Sequence, residues 1–209
     1  MRRITFDKLL GWGGASLGVL LLVVASLLLW ASAYIHNNVY NQLSEQQITF
    51  PAAAAFQHPT ANGEITPSMI PIVSQYAGQQ LTTGQQAEVY ADDFIAVHIR
   101  EIGGGKTYSQ LSAASQAAPG NTALAGQVAT VFKGTTLRSM LLTAYSWWKV
   151  SQITYIISLV AYGLGTVVFV GGLVGFGRLF RDRKAPLARL GAPALEQINQ
   201  AGHEAGTAA

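Results

Sequence analysis

Two long apolar stretches without a charge dominate the pattern of this chain, one over 9–35 and one over 150–176. Each exceeds the ~20 residues that a helix needs to cross a hydrocarbon core of ~30 Å, so both are read as membrane-spanning helices. Between them the pattern changes several times. Val39, Tyr40 and Leu43 keep helical spacing after the first run, which predicts that its helix projects beyond the lipid. The stretch 48–82 holds Pro51, Pro59, Pro67 and Pro71 and an alanine run; it reads as irregular connection with a short extended piece at Ile48, Thr49 and Phe50. Tyr90, Phe94, Val97 and His98 then predict a helix over 85–102 with an apolar face, with Ile95 and Ile102 alongside. Gly103, Gly104 and Gly105 end it, since glycine takes the left-handed conformation that stops helices. Thr107 is placed to cap a short helix through about Ser115, and Pro119, Gly120 and Asn121 make a turn. From Thr135 helical spacing resumes, with Leu137, Leu141, Ala144 and Trp148 on one face, and leads into the second apolar run.

The fold class expected is therefore all-α: an antiparallel hairpin of two transmembrane helices with a small, mainly helical extracytoplasmic domain. Its parts are a tip at 1–8, spans at 9–35 and 150–177, the outer domain at 36–149 and a tail at 178–209 that is basic and then disordered. The tail reads so because Ala, Gly, Pro and Gln prevail over large apolar residues beyond Lys184.

Charge adds an orientation. Arg2, Arg3 and Lys8 precede the first run, and Arg178, Arg181, Arg183, Lys184 and Arg189 follow the second, whereas 36–149 has acidic and basic residues in near balance. Basic residues stay on the cytoplasmic side, which puts both termini in the cytoplasm of a bacterial plasma membrane. Composition agrees: 50% hydrophobic against 11% charged residues is too apolar for an ordinary soluble domain. The absence of cysteine excludes disulfides, thiolate metal sites and cysteine nucleophiles. Ala31, Ser32 and Ala33 match a signal-peptidase site, but the run is longer than a signal core and carries Trp12, Trp30 and Tyr34 near its ends, so it is read as a retained anchor.

Chemistry is sparse. Gly14 and Gly18 in the first span, and Gly171 and Gly175 in the second, have the four-residue spacing that lets helix backbones approach, within the hairpin or against a partner's helix. Gly103 to Thr107 resembles the end of a phosphate-binding loop, but the motif's earlier glycine is Arg100 and the run follows a helix, so no nucleotide is expected. His98 has Glu88, Asp92, Asp93 and Glu101 near it in sequence, yet its four-residue neighbours are Phe94 and Ile102; a histidine half-buried in an apolar face fits better than a metal ligand. The basic tail lacks interleaved aromatics, which argues against nucleic acid and leaves membrane lipid as its partner. No cofactor and no catalytic residue are read.

Ala91, Ile95 and His98, then Gly104, Gly105, Lys106, Thr107, Tyr108 and Leu111, with Thr130, Val131, Leu137, Arg138 and Ser139, resemble a family of small two-span membrane proteins from actinobacteria. The resemblance singles out His98, Lys106, Tyr108 and Arg138 as residues of interest and implies the two-span architecture. Family members have no established function. Some carry an aromatic ring-opening dioxygenase name, but no iron-ligand cluster accompanies it in this sequence. The expected role is a non-enzymatic accessory or scaffold subunit of a membrane or envelope assembly, with a protein partner or a second copy in the membrane. The alternatives are an outer ligand-binding or sensory module that signals through the hairpin, and a metal-dependent enzyme around His98.

Overall fold

A computed structural model describes the backbone of residues 2–60 and 64–207 and the side chains of 11–60 and 64–177. The basic residues expected at the cytoplasmic ends, Arg2, Arg3 and Lys8 and those from Arg178 onward, have side chains outside that description. Among the described residues there are helices and turns and a lone antiparallel bridge, with no strand. The helices are α1 (Arg2–Glu45), α2 (Ile70–Val73), α3 (Gly84–Val89), α4 (Ala96–Ile102), α5 (Tyr108–Ala117) and α6 (Thr122–Thr207). The helix assignment thus runs through the tail that the sequence reads as disordered. Within α1 and α6, Gly11–Glu45 and Thr122–Gly177 are long and apolar enough to cross a membrane. The chain divides into two compact units, Met1–Leu28 with Ile157–Ala209, and Leu29–Ile156.

In the first unit α1 and α6 meet through small residues. A Cβ on Gly18 would lie 2.6 Å from the Phe169 Cα, and one on Gly172 would lie 2.4 Å from the Ala15 nitrogen, so neither position admits a side chain. Gly14 faces Gly172, and Gly165 faces Leu21 and Leu22. Contact numbers fall along α6 as they rise along α1, so the two helices run in opposite directions here. Ala25 and Ser158 are fully buried. The Ser26 hydroxyl donates to the Leu22 carbonyl at 2.8 Å, which makes the Tyr162 hydroxyl the donor in its 2.6 Å bond to Ser26.

The second unit has a core of large side chains. α1 ends where Gln47 takes a φ of 53°, and Thr49 then bridges Gln80. The Phe50 amide donates to the Gln79 carbonyl at 2.9 Å, and the Leu81 amide to the Ile48 carbonyl at 2.8 Å. This clasp closes the proline-rich loop, which folds into 3-10 turns at Ala53–Gln57, Pro67–Met69 and Ser74–Tyr76 around the short α2. Far from being filler, the loop gives the core Phe50, Ile65, Met69, Val73 and Leu81, none more than 3% exposed. Val39 and Leu43 of α1 and Leu141 and Trp148 of α6 complete it.

The helix expected over 85–102 is interrupted. Thr83 and Gln86 form a capping box that starts α3, a π-helical turn follows at Tyr90–Ile95, and α4 continues to the glycine stop. Ala87, Ala91 and Ile95 are its buried line, while Tyr90, Phe94, Val97 and His98 lie half-buried beside it. The expected face is therefore rotated. Small residues explain the choice, because Gly84 sits directly on Trp148 and Gly134 on Ile99, and such close approach excludes bulk from the facing line. α6 begins at Thr122, well before Thr135, since Asn121 caps it by accepting from the Leu124 amide at 3.0 Å. Its first turns pack on α5, where Leu111 and Val131 are each 1% exposed.

Candidate functional site

His98 stands at the end of a chain of rings. Tyr76, Phe50, Tyr90, Phe94 and His98 follow one another with centroids 5.2, 5.2, 4.8 and 4.5 Å apart. The His98 Nδ1 lies 2.8 Å from the Phe94 carbonyl. A carbonyl can only accept, so Nδ1 carries a proton and donates it to Phe94. Burial, with the Glu64 carboxylate in addition, raises the Tyr90 hydroxyl pKa above its ordinary value. Stacking and a single backbone bond are what hold a structural histidine.

Of the four carboxylates near His98 in sequence, Asp92 and Glu88 are directed to α6. Asp92 takes both Nε and Nη2 of Arg138 on one oxygen, at 3.1 and 2.6 Å. Tyr145 hydrogen-bonds Glu88, which raises the tyrosine pKa, and the Lys149 ammonium lies over the Tyr145 ring at 5.5 Å. Asp93 has its pKa raised by partial burial and then by its neighbours Asp92 and Glu88. Among the described residues no group of three or more His, Asp or Glu stands close enough together to hold a metal ion.

Lys106 is exposed, and Tyr108 packs its ring on Phe132 at 5.3 Å. The amides of Gly103, Gly104, Gly105 and Lys106 donate to the carbonyls of Ile99, Glu101, Arg100 and Gly103. A phosphate-binding loop needs such amides to point at the ligand, whereas here they close the end of α4. Gly104 and Gly105, with φ of 57° and 78°, supply the left-handed turn. Thr107 and Gln110 then form the capping box of α5.

The expected packing glycines are placed unequally. Gly14 and Gly18 are at the α1–α6 contact, and Gly175 reaches only 4.0 Å from Gly11. Gly171 faces open space. Gly172 makes the contact in its place, because one residue turns a helix by about a quarter of a revolution. No family model, curated protein or solved structure matches this chain. Of the residues that the sequence reading singled out, Ala91, Leu111 and Val131 are buried, and Thr107 caps a helix.

A concavity absent from the sequence reading lies in the second unit. α1 from Tyr34 to Gln46 and α6 from Leu137 to Trp147, with Ile48, bound a groove of about 630 Å³. Ile35, Val39, Leu43, Leu141 and Ala144 form its floor. Asn38, Gln42 and Gln46 stand along one rim, with the Gln42 amide donating to the Asn38 side chain at 3.0 Å. Every residue of the lining is uncharged. The signal was available in the sequence as two parallel stripes on one helix, apolar at 35, 39 and 43 and amide at 38, 42 and 46. A smaller recess lies between Ser32, His36 and Ser151, where the Ser32 hydroxyl donates to the Ser151 carbonyl at 2.8 Å.

Proposed function

We propose that the protein is a two-span hairpin of a bacterial plasma membrane, with both termini cytoplasmic and 36–149 outside. It works without catalysis, as an accessory or scaffold subunit of a membrane or envelope assembly. The observation that carries this reading is the apolar exterior of the two long helices, where Leu27 is 61%, Trp30 67%, Val160 57% and Val167 72% exposed. In water such a surface is unfavourable by ~25 cal/mol per Å², whereas lipid or a partner's helices cover it. The basic residues at either end support the orientation, and the Ser32 to Ser151 bond supports retention of the first span as an anchor.

Blue-native electrophoresis after mild detergent extraction tests the assembly, and a strictly monomeric band under every condition would sink it. Orientation is tested by single cysteines in this cysteine-free chain. Ala113→Cys should react with an impermeant maleimide in whole cells, and Ala205→Cys only after lysis. A second reading has its own support in the uncharged groove, whose volume lies within the ~300 to 1,000 Å³ of small-molecule sites. In that reading the outer segment binds an apolar ligand and signals through the spans.

A further inference from the structure

We infer that the groove between α1 and α6 is a binding site for the hydrocarbon chain of a lipid drawn from the outer leaflet; this rests on the membrane reading above. Three features favour that occupant. The lining has no charged residue, although Glu45 follows Ser44 at the end of α1 and Arg138 directly follows Leu137 on α6. An uncharged chain complements such a lining, and an ionic ligand or an acidic or basic peptide does not.

Length agrees as well. From Tyr34 to Gln46 the groove follows α1 for roughly 18 Å at 1.5 Å per residue. A hydrocarbon core of ~30 Å is two chains thick, so a single chain of ordinary lipid needs about 15 Å. The groove also ends, on both helices, where the two apolar runs of the chain begin. Tyr34 and Trp147 flank its lower end, 60% and 53% exposed, at the positions where the two apolar runs emerge and where aromatic belts form. A chain can enter there without passing through water.

The test uses the full chain in phosphatidylcholine vesicles with palmitate carrying a diazirine in its chain, followed by peptide mapping of the photoadducts. Adducts are expected on 34–48 and 137–147 as well as on the exposed span residues. Ala144→Trp fills the floor and should lower labelling of the groove at least ten-fold with span labelling unchanged. If the larger ring disturbs folding, Met140→Glu decides, since this side chain is 65% exposed and a carboxylate there should repel the chain with a similar loss. Span adducts without groove adducts in the parent, or groove labelling equal in parent and variants, would overturn the proposal and leave the membrane reading intact. Absence of adducts on the spans as well would refute the membrane reading itself. Cross-linking of two copies through Trp147 with the groove unlabelled would make it an interface between copies and also overturn the proposal.

Discussion

The two units of this chain are inverted with respect to each other in what they bury. In the first, glycine and alanine occupy the contact, and leucine, valine and isoleucine point outward. In the second, Phe50, Met69, Leu81 and Val73 are inside, and amides and hydroxyls share the exposed surface with large side chains such as Phe132, Met140 and Trp147. On the membrane reading proposed above, the difference follows from the medium. Where lipid surrounds a helix pair, apolar side chains gain nothing by leaving it, so close approach of backbones and the hydroxyl pair Ser26 and Tyr162 hold the contact. Where water surrounds a unit, burial of large apolar groups is the main stabilising term.

The sharpest way to break this comparison is to truncate a large side chain in the core of the second unit. Phe50→Ala should destabilise it by about 3 to 5 kcal/mol, the range for a buried phenylalanine, read as accelerated cleavage by a soluble protease. Phe94→Ala, on the half-buried flank, should cost less; an equal or larger effect would move the centre of the core to the Tyr90–Ile95 turn. In the glycine-packed unit the damaging change runs the other way. Gly18→Leu should cost on the order of 1 to 3 kcal/mol by overpacking against the Phe169 backbone, seen as a lower midpoint in detergent, while Gly171→Leu should be silent. Equal sensitivity of the two glycines would mean that the helices meet on another face.

Smaller effects are expected at charges. Arg138→Ala removes a partner of a pair whose side chains are 39% and 43% exposed, so the loss should stay within ~1 kcal/mol and shrink further in high salt. Asp93 tests the sign of a shift. Its folded-state pKa is raised, so the folded state holds the proton more tightly, and this contribution to stability fades as pH rises through the raised value. Asp93→Asn should flatten that dependence just above the ordinary carboxylate range and stabilise slightly at neutral pH, by under ~1 kcal/mol for so solvated a group. A variant whose thermal midpoint falls more steeply with pH than the parent's would show that Asp93 has a favourable charged partner instead.

What could be read from the sequence divides along the same line. Long uncharged runs, the glycine stop at 103 and the Thr107 cap depend on neighbours in the chain, and all three are found in the structure. The core of the second unit depends on contacts distant in sequence. Ile65, Met69 and Val73 do recur at a helical interval of four, but Pro67 and Pro71 stand between them and the segment changes conformation every few residues, so no single helix carries them and the prolines hide the pattern. The groove was missed for a related reason: each of its stripes is visible on α1 alone, but a concavity requires the facing turn of α6. His98, prominent in the chain for want of other candidates, is held by a ring and a carbonyl of its own helix.

The π turn at Tyr90–Ile95 has a consequence for the length of the chain. Its Ala96 amide reaches back to the Ala91 carbonyl, so the turn accommodates a residue more than an α-helix would. Elsewhere in a helix, loss of a residue swings everything downstream to a new heading. Here the wide turn can tighten to an ordinary one and leave α4, the glycine stop and the cap of α5 where they were. This makes 90–95 the stretch of the second unit in which a single-codon deletion is most readily absorbed.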